Sequence, residues 1–99
     1  MRCIRIDPDG TISVETVSYH DLQAELGEAL SDWEVPAFPD IIAVAALNDS
    51  GLQPNVPATR IMGEPYCGPV YLLRRHYGSL TQDEINSLLD YLEGDDESD

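Results

Sequence analysis

Ile41-Ile42-Ala43-Val44-Ala45-Ala46-Leu47 is the longest unbroken apolar run in the chain. It has no polar side to give to water, so it reads as a central strand covered on both faces or nearly so. It is also far shorter than the 18 or so residues a membrane helix needs. Asn48-Asp49-Ser50-Gly51 closes the strand with turn formers. On its N-terminal side, Pro36 and Pro39 push the residues before them into extended geometry. Trp33–Val35 therefore supplies a short edge strand, and Asp40 after Pro39 makes a turn.

Further outward, Arg2-Cys3-Ile4-Arg5-Ile6 alternates as a strand does, and Asp7-Pro8-Asp9-Gly10 turns it back. Thr11–Val17 alternates again and sends Ile12, Val14 and Val17 toward a core, completing a hairpin. Ser18 with Asp21 resembles a helix N-cap with a first-turn carboxylate. Leu22, Leu26, Ala29 and Leu30 fall on one face at helical spacing, which predicts a helix over 19–30. Leu52–Gly68, with Pro54, Pro57 and Pro65, has no regular pattern and reads as a long loop, functional or mobile. Pro69–Arg75 is the last strand, with Pro69 at its first position. Thr81-Gln82-Asp83-Glu84 is a capping box, and Ile85, Leu88, Leu89 and Leu92 repeat at helical spacing until Gly94.

The predicted order is β-β-α-β-β-loop-β-α. That order is an α+β domain with one small, mostly antiparallel sheet of four to five strands and two helices on one face. Residues 1–94 form the single domain, and 95–99 a disordered acidic tail.

Charge is the chain's dominant global property. Nineteen acidic residues face five basic ones, all arginine, for a formal net charge of −14. Direct binding to nucleic acid needs clustered basic side chains and is excluded as a function class. The acid is unevenly spread: residues 7–49 hold ten acids and no Arg or Lys, whereas 50–82 hold Arg60, Arg74 and Arg75 against Glu64 alone. The N-terminus lacks the basic-then-apolar layout of a signal peptide, and two cysteines are too few for a disulfide framework. A soluble cytoplasmic protein is expected, with Cys3 and Cys67 as small buried hydrophobes.

Leu47-Asn48-Asp49-Ser50-Gly51-Leu52, Asn55–Arg60, Gly63 and Gly68-Pro69-Val70-Tyr71-Leu72 together resemble a family of small phage- and plasmid-borne proteins of unknown function. Those proteins open with strand-turn-strand-helix, carry an N-x-x-G turn mid-chain and finish with a G-x-V strand. The resemblance implies a mobile-element origin and a role in the host cytoplasm. It brings no activity with it.

Catalytic chemistry finds no foothold in the pattern. Neither Cys67 with His76 nor Cys3 with His20 comes with a locally placed third member, and the four lack zinc-ligand spacing. No catalytic residue, metal or cofactor is expected. Two binding readings remain. In the first, Asp21, Glu25, Glu28 and Asp32 line one side of the first helix and its end, imitating a row of DNA phosphates. That row would bind a protein partner with a basic surface, as an inhibitor would. In the alternative, Asn48, Asn55, Thr59 and Arg60, with Arg74, grip a small anion or nucleotide derivative. If the first and last strands are neighbours, Arg2 and Arg5 join Arg74 and Arg75 in a positive spot. The same residues also serve as turn formers and as local partners, Arg60 pairing with Asp40 or Asp49.

Overall fold

The computed structural model describes residues 1–48 and 51–94. Asp49 and Ser50 of the expected turn, and the expected tail 95–99, lie outside the described residues. Five strands, β1 (Arg2–Ile6), β2 (Ile12–Thr16), β3 (Leu30–Val35), β4 (Phe38–Ala46) and β5 (Val70–Arg74), form one sheet in the order β2-β1-β5-β4-β3. Every pairing is antiparallel. The helices are α1 (Tyr19–Leu26), α2 (Val56–Met62) and α3 (Gln82–Gly94), with a short 3-10 turn at Arg75–Tyr77. The α+β class, the N-terminal hairpin and the central position of β4 are as expected. The number and placement of the helices are not.

The three inner strands are apolar on alternate residues of both faces, and that demands two covers. Ile4, Ile6, Ile41, Ala43, Ala45, Val70 and Leu72 belong to one buried cluster with Ala58, Ile61 and Met62 of α2 and Ile85 and Leu88 of α3. Cys3, Ile42, Val44, Tyr71 and Leu73 belong to a second cluster with Leu22 and Leu26 of α1. Helices therefore lie on both faces, not on one. A sheet whose central strands present leucine and isoleucine to both sides would otherwise leave an entire apolar face in water.

α1 ends at Leu26, four residues before the predicted stop. Ser18 caps its start reciprocally with Asp21. Gly27, at φ 96°, breaks the helix, and Leu30 becomes the first residue of β3 and packs on the second cluster. Ala29 is exposed.

α2 occupies the segment read as an irregular loop. Its sequence signals are complete: Asn55 is the N-cap, accepting from the Ala58 N–H, a proline stands in the first turn, and Gly63 at φ 78° ends it. A proline at the start of a helix gives up only an N–H that has no intrahelical partner. Pro57 thus helps to start a helix here.

The hairpin turn between β3 and β4 falls at Pro36-Ala37, whereas Asp40, expected to turn the chain, lies within β4. The register jumps from Glu34↔Ile42 to Val35↔Phe38. Pro39 therefore sits in a bulge, where its missing N–H breaks no ladder bond. Val14, expected in the core, is 41% exposed because β2 is an edge strand.

Candidate functional site

The four carboxylates expected in one row are divided among three elements. Asp21 and Glu25 lie on α1, Glu28 follows the Gly27 break, and Asp32 lies on β3. Asp21 accepts the Ser18 N–H at 2.9 Å, which holds its carboxyl below the ordinary carboxylate value. Glu25 stands 3.4 Å from the Arg5 guanidinium. Asp32 accepts the Tyr77 hydroxyl at 2.8 Å.

The residues of the anion-binding alternative do not converge either. Asn55 is fully buried. Its amide donates to the carbonyl oxygens of Ile6 and Gly68 at 2.9 and 2.8 Å, and its Oδ1 accepts from the Ala58 N–H. The side chain ties α2 to β1 and to the segment leading into β5, with nothing left for a ligand. Thr59 Oγ1 accepts the Tyr66 N–H. Arg74 faces Glu84 at 3.8 Å. Asn48 and Arg60 are likewise engaged.

β1 and β5 are neighbours as the positive spot requires, but three of its four arginines, Arg5, Arg74 and Arg75, face carboxylates. Arg5 bonds Asp7 at 2.9 Å, donates to the Tyr71 hydroxyl at 2.8 Å and stacks on the Tyr71 ring. Burial is the main reason the Tyr71 phenol is pushed up to about 12. Arg75 pairs with Glu34. Cys3 is fully buried and Cys67 half-buried, both as free thiols. Burial first, then Glu15, pushes the Cys3 thiol up to about 11. A thiol so protonated is a poor nucleophile at neutral pH. Among the described residues no group of three or more His, Cys, Asp or Glu side chains is placed to hold a metal ion. None of the described helices is long and apolar enough to cross a membrane.

No protein-family model, curated protein or solved structure matches this chain. What its surface can do is therefore read from its own geometry.

That geometry concentrates exposed, chemically varied side chains along β3. β3 is an outer strand, paired among the described residues with β4 alone. The Leu47 N–H donates to the Ala29 carbonyl, so alternation along the ladder turns the backbone N–H and C=O groups of Leu30, Asp32 and Glu34 away from β4, toward the open edge. Asp32 and Glu34, opposite Val44 and Ile42, project on the α1 side; Trp33, opposite Ala43, projects on the α2 side. Trp33 is 61% exposed, and it is the chain's single tryptophan.

Two clefts flank this edge. On the α1 side, a cleft of about 310 Å³ is lined by Asp32, Glu34, Arg75, His76 and Tyr77. His76 and Tyr77 both hold positive φ, 60° and 58°. The turn is closed by bonds in both directions between Arg74 and Gly78 and packed against the Tyr19 ring. On the other side, a cleft of about 190 Å³ lies between Ser31, Trp33 and Ala45 of the hairpin and Glu64, Tyr66 and Cys67 of the segment after α2. That segment is fixed by Asn55 and by Gly68. A Cβ on Gly68 would stand 2.6 Å from Leu52 Cδ1.

Trp33 stands on an edge strand, as the flanking prolines predict, but the sequence alone assigns it no role. The signal available was the combination of an edge position, a lone tryptophan and alternating Asp32 and Glu34. Glu64 and Tyr66 could not be joined to it locally, because they come from the other side of β4 in sequence.

Proposed function

We propose that the chain is a non-catalytic protein-binding module that captures a basic, extended segment of a partner along the open edge of β3. The observation that carries this reading is the edge itself. Three outward-facing peptide groups, at Leu30, Asp32 and Glu34, alternate with an exposed tryptophan, and the surrounding half of the chain holds no Arg or Lys. Main-chain bonds to an added strand supply affinity, and side chains on alternate faces supply selectivity. An unprotected edge invites indiscriminate pairing, and the carboxylates flanking Trp33 disfavour a second copy of this acidic chain in that position. The role suits a small acidic protein of a phage or plasmid acting on a host or phage protein.

Imitation of DNA by a continuous row of four carboxylates along the first helix and its end is set aside, because α1 stops at Leu26 and carries Asp21 and Glu25 alone of the four, both with local partners. Anion binding by the 48–60 segment is set aside because the Asn55 and Thr59 side chains are engaged inside the protein.

Selection from a random peptide library against the immobilised protein tests the reading. Enriched peptides are expected to be basic and extended, to weaken steeply as salt rises from about 0.05 to 0.5 M, and to be lost with Asp32→Pro but kept with Asp32→Asn. Proline removes an outward N–H from an edge strand, where it is otherwise tolerated. Enriched peptides that are neutral, or that bind the proline variant equally well, would refute strand capture.

A further inference from the structure

We infer that the cleft between Trp33 and Glu64 is a seat for one arginine side chain of the captured segment. This rests on the strand-capture reading for the rest of the segment, but it is carried by separate observations. The cleft has a volume of about 190 Å³ and opens beside the exposed Trp33. Its opposite wall bears Glu64, an exposed carboxylate that forms no ion pair among the described residues. Tyr66, only 8% exposed, lines the same cleft.

The two exposed side chains ask for one kind of occupant. An indole face attracts a cation, and a carboxylate accepts charged N–H groups. A guanidinium meets both, being planar, permanently charged and furnished with five N–H donors and no acceptor. An ammonium offers a more strongly hydrated point charge and cannot lie flat on the indole. An anion is repelled by Glu64, and a purely apolar group leaves that carboxylate without a counter-charge. The position also fits strand addition. Trp33 and the cleft lie on the α2 face, where alternate side chains of an added strand would project.

Two six-residue peptides matching the length of β3, identical except for arginine or neutral citrulline at one position, provide the test, read by Trp33 fluorescence and by calorimetry. Selectivity of about tenfold for arginine is expected, from cation–π and charge-assisted contacts together. Glu64→Gln should lower the ratio to about two- to threefold, the part that the Trp33 face supplies. Equal affinity for the two peptides in the parent chain, or no binding of either up to about millimolar concentration, overturns the inference. The two readings separate cleanly. Equal binding that is abolished by Asp32→Pro sinks the arginine seat and keeps strand capture. Arginine-selective binding that survives Asp32→Pro keeps the seat and sinks strand capture.

Discussion

The Asn55 side-chain amide donates to the Ile6 carbonyl oxygen across 2.9 Å, joining the start of α2 to the end of β1. The same nitrogen donates to Gly68, and the oxygen caps Ala58. Asn55→Ala strands two buried carbonyls and one N–H, and a loss of about 2–4 kcal/mol in urea unfolding is expected. Asn55→Asp should cost at least as much, because a carboxylate faces the two carbonyls. A change below about 0.5 kcal/mol would mean that the node is not structural.

Helices on both faces make two cores divided by the sheet, with Ile42 in one and Ile85 in the other. Ile42→Val and Ile85→Val are each expected to cost about 1 kcal/mol. Their double variant should lose the sum to within about 0.5 kcal/mol, as independent sites do. Strong coupling between them would argue against two separate clusters.

His76, exposed at φ 60°, occupies backbone geometry that favours glycine. His76→Gly should raise stability by about 0.5–1 kcal/mol, net of glycine's greater freedom in the unfolded chain. Tyr77→Phe removes the bond to Asp32 and should lower stability by about 1 kcal/mol. Chemical denaturation measures both. Destabilisation by His76→Gly would show that the turn is held by the His76 side chain.

Stability should fall at both ends of the pH scale for different reasons. In the folded state Asp21 lies below its ordinary 3.8 because it accepts the Ser18 N–H, so its contribution is present above that value and is lost as pH falls through the folded pKa. Asp21→Asn should flatten that part of the acid limb. Cys3 is raised from 9.0 to about 11. Its burial as a neutral thiol stabilises fully below 9.0 and loses that contribution as pH rises toward 11. Cys3→Ala should therefore reduce the alkaline slope, as seen in melting temperatures across that window, and an unchanged slope would count against a buried neutral thiol.

How far the fold could be read from sequence is clearest at β4. The run 41–47 already required cover on both faces, and it was the more reliable guide; the single layer of helices contradicted it. α2 was hidden by its prolines. Pro54 and Pro65 do flank an irregular path, but Pro57 stands at a helix start, where only the offsets Asn55, Pro57 and Gly63 distinguish a helix from a loop. The acidic row failed at Gly27, whose positive φ ended α1 before Glu28. The cleft beside Trp33 was illegible for another reason: it is assembled by the pairing of β3 with β4 and by the path after α2, and no local spacing records that meeting.

β5, the last of these five strands to be synthesised, lies in the middle of the sheet between β1 and β4. Until residues 70–74 leave the ribosome, the nascent chain holds two separate hairpins with no strand to join them, and such ribbons are marginal in water. Assembly of the sheet thus waits on long-range pairing, the slow kind. The edge at β3 is consequently a late product of synthesis: a chain released before β5 would have the acidic residues and the tryptophan but no rigid platform to present them.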